Sequence, residues 1–111
     1  MGLIKREIHS IEVNQLADGL RALAHPARLA ILTRISQSDS CICTDLSKEL
    51  GLAQATVSQH LRALKDANLI QGSIEGNSMC YCIEPGQVQK LATEISELMN
   101  RFLQNAPGAC C

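Results

Sequence analysis

With 111 residues the chain has room for one ordinary domain and not two. Hydrophobic residues make up 46% and charged residues 19%, the balance of a folded protein rather than a disordered one. Tyr81 and Phe102 are the whole aromatic complement and Trp is absent, which argues against a base-stacking platform for single-stranded nucleic acid and against an aromatic cage. A core of Leu, Ile, Val and Ala points to packed helices, and in so small a domain dimerisation would help to bury apolar surface. The net charge of −1 counts mildly against a nucleic-acid binder. What a duplex meets, however, is local charge, and a dimer presents it twice.

No apolar run is long enough to cross a membrane. Residues 1–15 carry Lys5, Arg6, Glu7 and Glu12 without the apolar stretch of a signal peptide, so the expectation is a cytoplasmic protein with reduced cysteines. There are six cysteines in three pairs: Cys41 and Cys43, Cys80 and Cys82, and the adjacent Cys110 and Cys111. In a reducing compartment such pairs suggest metal or redox chemistry.

In chain order, Val13, Leu16, Leu20 and Leu23 recur at helical spacing and predict a helix over 11–24. Pro26 opens a second helix to about Ser36, its inward face being Leu29, Leu32 and Ile35 with Ile31 beside them. Residues 37–40 read as a loop and Cys41-Ile42-Cys43 as an extended segment. Thr44 then caps a short helix that ends at Gly51. Residues 54–67 form another helix, with Val57, Leu61 and Leu64 on one face. Two short helices joined through a glycine turn describe a helix-turn-helix. Residues 69–74 and 79–83 read as strands around the turn Glu75-Gly76-Asn77, making a wing. Pro85-Gly86 breaks the chain before a last helix over 87–104, whose stripe is Val88, Leu91, Ile95, Leu98, Met99 and Phe102. The fold class expected is mainly α with a small β-hairpin wing. It would be a single winged-helix domain over 1–111, its first and last helices meeting a partner subunit and 105–111 a mobile tail ending in cysteine.

Three stretches carry a resemblance: Leu16-Ala17-Asp18, residues 23–32 (LAHPARLAIL) and residues 54–64 (QATVSQHLRAL). On these, and on the order of helix-turn-helix, wing and final helix, the chain resembles the ArsR/SmtB family of metal-responsive winged-helix repressors over roughly 14–104. The resemblance implies a homodimer that binds double-stranded operator DNA at an imperfect inverted repeat and releases it when a sensor site is filled. The family's sites on the last helix use Asp, His and Glu. The last helix here has no His, so a zinc or nickel site of that type is not supported. The family's commonest cysteine site lies at the start of the first helix of the helix-turn-helix, and Cys41 and Cys43 stand one position earlier than that pattern.

A recognition helix enters the major groove by its N-terminal half. The outward residues there are Gln54, Thr56, Ser58 and Gln59, with Arg62 and Lys65 nearer the phosphates. Gln pairs bidentately with adenine, and Ser or Thr serves either base. His60 reads as a packing residue beside Leu61 rather than a DNA contact, and His25 as a residue that orients the helix junction. Asp45, Glu49 and Asp66 balance Lys48, Arg62 and Lys65, and the wing tip has no basic residue, so phosphate contacts should be few.

If the segment before the helix-turn-helix pairs with the wing as a third strand, the strand period of two turns Ile42 inward and Cys41 and Cys43 to the other face. In the second wing strand Met79, Tyr81 and Ile83 are the inward set, and Cys80 and Cys82 point outward. All four thiols would then cluster on one face. Such thiolates suit soft ions: arsenic(III) or antimony(III) as inducer, with Cd, Pb, Zn or Cu(I) as further fits, and no organic cofactor. Arsenic(III) takes three sulfurs, and Cys110 and Cys111 are secondary ligand candidates. The function read from the sequence is therefore a cysteine-thiolate repressor induced by arsenite or antimonite. The alternative is a thiol-redox or persulfide sensor on the same scaffold. An enzyme is not expected, because no nucleophile–base pair is visible and the C-x-C pairs lack a βαβ setting.

Overall fold

The structure is a computed structural model, and it describes residues 9–75 and 78–108. The first eight residues, the wing-tip pair Gly76-Asn77 and the last three residues, with Cys110 and Cys111, lie outside the described residues.

The first helix, α1, spans Ile11–Leu23 and is capped by Ser10, whose hydroxyl accepts from Val13 N–H at 3.1 Å. At its other end Ala24 is the C-cap, one residue short of the expected span. The second helix, α2, spans Pro26–Ser36. Pro26 occupies the first turn, where a missing N–H costs nothing, and His25 Nδ1 accepts from Ala27 N–H at 3.0 Å. His25 thus orients the junction, as expected, by capping. The inward face of α2 differs from expectation. Ile31 and Ile35 are fully buried and Leu32 half-buried, but Leu29 is 51% exposed, because the arc of this helix that meets the core is centred on Ile31 and Ile35. Val13 on α1 is likewise exposed while Ala22 is buried.

The helix-turn-helix follows. The short helix α3 spans Leu46–Leu50 and is capped by Asp45, not Thr44: Asp45 Oδ1 accepts from Ser47 N–H at 3.0 Å. Gly51 ends it in the left-handed region, φ 69°, where a side chain would be strained. The recognition helix α4 spans Gln54–Asp66, buries Val57, His60, Leu61 and Leu64, and ends one residue before the expected Ala67. Asn68, φ 62°, turns the chain into β1, Ile70–Glu75, which pairs antiparallel with β2, Ser78–Ile83, in the register Ile70 with Ile83, Gly72 with Tyr81 and Ser73 with Cys80. Helix α5, Pro85–Gln104, begins two residues earlier than expected. Pro85 sits in the first turn rather than breaking the chain, and Glu84 caps it by accepting from Gly86 N–H at 3.0 Å.

The core lies where α2, α4 and the hairpin meet: Ile31, Ile35, Leu64, Leu69 and Ile70 are almost wholly shielded, with Ile42 and Leu46 closing it below the turn. Burial of such side chains, about 1.5–3 kcal/mol each, is what fixes the recognition helix to the rest. Helices α1 and α5 pack together through Gly19. A Cβ there would stand 2.8 Å from Leu91 Cδ1, so only glycine admits this approach without a shift of Leu91.

Candidate functional site

The candidate residues fall on two surfaces, and these adjoin each other. The first is the outward face of α4. Gln54, Ser58, Gln59, Arg62 and Lys65 are exposed and Thr56 is half-buried, on the side of the helix opposite Val57, Leu61 and Leu64. The start of this helix has no side-chain cap of its own. Instead Ser47 joins the two helices of the motif: its hydroxyl lies 2.5 Å from Asp45 Oδ1 and 3.0 Å from the Gln54 amide oxygen. The Ser47 hydroxyl hydrogen bond holds the Asp45 carboxyl below the usual carboxylate range. Lys65 Nζ leans toward Gly72 of the wing, 3.4 Å from where a Cβ would stand.

From the inward side α4 is gripped by a contact that residue spacing alone does not reveal. Arg28 Nε on α2 donates to His60 Nδ1 at 3.1 Å, and the His60 ring lies 4.4 Å from that of His25, centroid to centroid. His60 is 8% exposed, so it is a packing residue, as its place beside Leu61 suggested. Burial first, then the nearby His25 and Arg28, push its pKa below the ordinary histidine value. It therefore serves as a neutral acceptor.

The second surface is formed by the cysteines. Ile42 and Tyr81 exchange both backbone hydrogen bonds, each at 2.8 Å, which sets the Cys41–Cys43 segment antiparallel to β2 on the side away from β1. The contact is a single bridge rather than a full third strand; among the described residues the sheet proper has two strands. In an antiparallel ladder the residues flanking a hydrogen-bonded pair are close non-bonded pairs with facing side chains. Here these are Cys41 with Cys82, Cα atoms 4.3 Å apart, and Cys43 with Cys80, Cα atoms 4.2 Å apart, and each pair is joined as a disulfide. The four cysteines are thus brought together as alternation requires, but as bonded pairs rather than the free thiols expected of a reducing compartment.

The exposure of this cluster also departs from expectation. Cys80 has no exposed surface, whereas Met79, placed inward by pattern, is 40% exposed. Cys80 lies on the middle of three chain segments, between Ser73 on one flank and Cys43 on the other, and that position shields its small side chain. Cys41 and Cys82 are half-buried and Cys43 is exposed. A cleft of about 300 Å³ connects the two surfaces, lined among others by Cys43, Asp45, Ser47, Gln54, Ser58 and Tyr81. The cysteine cluster therefore adjoins the start of the recognition helix.

A polar recognition helix set by a short helix and a glycine turn, followed by a β-hairpin, defines a winged helix-turn-helix DNA-binding regulator. The family model described as the bacterial regulatory protein, arsR family, matches residues 25–71. The arsenical resistance operon repressor of Bacillus subtilis is 35% identical over 92 residues, which cover 82% of this chain and 85% of that one. The regulator NmtR of Mycobacterium tuberculosis is 38% identical over 80 residues, 72% of this chain and 66% of its own length. An ArsR-like regulator from Rhodococcus sp. RHA1 superposes with a TM-score of 0.70 at 22% identity, over 84% of this chain and 87% of that one, which bears on the fold alone. The chain belongs to the ArsR family of transcriptional regulators and is a DNA-binding regulator rather than an enzyme.

Proposed function

We propose that this regulator is a repressor that holds operator DNA as a homodimer and releases it when trivalent arsenic or antimony, or a related soft ion such as Cd, Pb or Zn, is bound by Cys41, Cys43, Cys80 and Cys82. The observation that carries the reading is the placement of Cys41 opposite Cys82 and of Cys43 opposite Cys80, with Cys43 on the cleft shared with Gln54 and Ser58. A low-molecular-weight thiol reduces each pair, two electrons and two protons converting one disulfide to two thiols while the reductant is oxidised to its own disulfide. The resulting thiolates suit soft, thiophilic ions, with arsenic taking three sulfurs and zinc or cadmium four. Any movement of the Cys41–Cys43 segment on ligation is passed directly to Asp45 and Ser47, which set the start of α4. Derepression of this kind requires the ligand to favour the DNA-free state by about 1–3 kcal/mol or more. The likeness to an arsenical resistance operon repressor supports the choice of arsenic. On this reading the protein works in the cytoplasm, where its operator is. No described helix is long and apolar enough to cross a membrane.

The disulfides favour one second reading, a thiol-redox or persulfide sensor in which oxidation of the facing pairs is itself the signal. One experiment separates the two. Fluorescence anisotropy of fully reduced protein on DNA from its own upstream region is titrated anaerobically with arsenite, then with an organic disulfide. Release by arsenite that is abolished in Cys41→Ser and in Cys82→Ser is the expected result. Release by the disulfide with indifference to arsenite selects the redox reading, and indifference to both sinks the cysteine sensor.

A further inference from the structure

The geometry points to two independent dithiol chelates per subunit, Cys41 with Cys82 and Cys43 with Cys80, each holding one trivalent arsenic through two sulfurs, for which a monosubstituted arsenical of the form R–As(OH)2 is the fitting probe. This rests on the reading above in taking the reduced thiols as the groups that meet arsenic. Within a pair the Cα atoms stand 4.3 and 4.2 Å apart and the side chains face each other. Between pairs lie two residues of extended chain, about 7 Å. That interval is held by the two 2.8 Å hydrogen bonds of Ile42 and Tyr81, and Ile42 is anchored in the core at 7% exposure, so the two pairs stand apart along the ladder, each with its own two sulfurs facing.

An arsenical that carries one carbon substituent has two exchangeable oxygens and is satisfied by one such pair. Two As–S bonds form and two As–O bonds break. Each thiol proton leaves with a hydroxide as water, and arsenic stays trivalent. Inorganic arsenite has three exchangeable oxygens and must reach across the ladder for its third sulfur. The pairs are not equivalent. Cys41 and Cys82 are both half-buried and reachable, whereas Cys80 has no exposed surface and its pair admits a ligand only from the Cys43 side. The Cys41–Cys82 pair fills first.

The test uses the full-length chain with Cys110→Ser and Cys111→Ser, reduced with a phosphine and titrated with phenylarsine oxide. Adducts are counted by intact mass, and free thiols are counted chromogenically. The expected result is two adducts per subunit in this parent, one after Cys41→Ser and one after Cys43→Ser, with thiols consumed two at a time. Any other count overturns the assignment, a parent taking one or a single variant taking none being the signature of one shared site. Thermal unfolding of each variant and its operator binding show that it is folded. Arsenite-driven operator release, measured on the same samples, reports on the inducer reading separately. Two adducts without arsenite release leave the chelates standing and sink that reading, while release with a single shared adduct does the reverse.

Discussion

Arg28 Nε donates to Nδ1 of the buried His60 at 3.1 Å, and the same guanidinium reaches the backbone oxygens of Arg21 at 3.3 Å and Ala22 at 3.5 Å. One side chain on α2 therefore holds both the inward face of the recognition helix and the last turn of α1. The placement of α4 thus depends on a polar contact with α2 as well as on Val57, Leu61 and Leu64.

Truncating that side chain leaves His60 buried without its donor and takes the guanidinium away from the Arg21 and Ala22 carbonyls. Arg28→Ala is expected to lower the unfolding free energy by about 1–3 kcal/mol, the usual cost of orphaning a buried polar group. Urea denaturation measures it. A loss comparable to that of an exposed residue would show that water replaces the guanidinium freely.

The same interaction makes stability depend on pH with a definite sign. Burial, His25 and Arg28 lower the pKa of folded His60 below about 6.5, so the folded state binds this proton less readily than the unfolded chain. The contribution is fully present above the unfolded pKa and is lost as pH falls through the lower folded one. The thermal midpoint should therefore decline on acidification below about pH 6.5, and His60→Gln, which keeps an acceptor but does not titrate, should decline less. Equal declines in the two proteins would remove His60 as the group responsible.

These relationships mark where sequence pattern stops being informative. The faces of α4 were legible because Val57, Leu61 and Leu64 recur at helical spacing and the polar residues fall between them. That the four cysteines share one face followed from the period of two once the segments were paired. The register that sets Cys41 opposite Cys82 and Cys43 opposite Cys80 comes from the single Ile42–Tyr81 bridge, which alternation does not specify. Which face of β2 is covered did not follow, since alternation separates faces without saying what lies over each. Cys80 is buried because segments flank it on both sides, and Met79 is exposed although more hydrophobic by pattern. Leu29 is exposed against expectation for the same reason: a helix with apolar residues at 29, 31, 32 and 35 has a broad apolar arc, and only tertiary packing decides which part faces inward. The cap at Asp45 in place of Thr44, and the start of α5 at Pro85, are shifts of one or two residues that turn on individual hydrogen bonds.

DNA binding should depend only weakly on salt. Of the six residues on the outward face of α4, Arg62 and Lys65 alone are basic, and Lys65 lies over the wing. The slope of log affinity against log salt is expected to be clearly shallower than for a strongly basic repressor of similar size, since each neutralised phosphate adds roughly 0.9 to it. Arg62→Ala should weaken binding across all sequences and flatten the slope by about one phosphate per subunit bound. Gln54→Ala and Gln59→Ala should instead relax discrimination at particular base pairs, by about 1–3 kcal/mol for each bidentate hydrogen-bonded pair removed. Competition with operator variants distinguishes the two behaviours. A steep slope in the unmodified protein would place the phosphate contacts elsewhere.

The ends of α1 and α5 carry apolar surface that packing within one subunit leaves uncovered. Ile11 is 72% exposed, Val13 54%, Met99 48%, Phe102 63% and Leu103 69%. On α5, Met99 and Phe102 are three residues apart and Leu103 four from Met99, so they share one side of the helix. Exposed apolar groups gathered this way suit an interface, and under the proposed function a second copy of the same helix pair offers a matching one. In the proposed homodimer, burying Phe102 and Leu103 would contribute about 1.5–3 kcal/mol per side chain. A charge at Phe102 would be forced into that seam without a partner. Phe102→Glu is expected to shift the protein from the proposed dimer to monomer in sedimentation velocity and, because the proposed inverted-repeat operator would be bound by two linked recognition helices, to reduce operator affinity by at least two orders of magnitude. The far-UV circular dichroism spectrum should be unchanged, since Phe102 touches little within its own subunit. A variant that stays dimeric with full affinity would move the dimer interface away from α5.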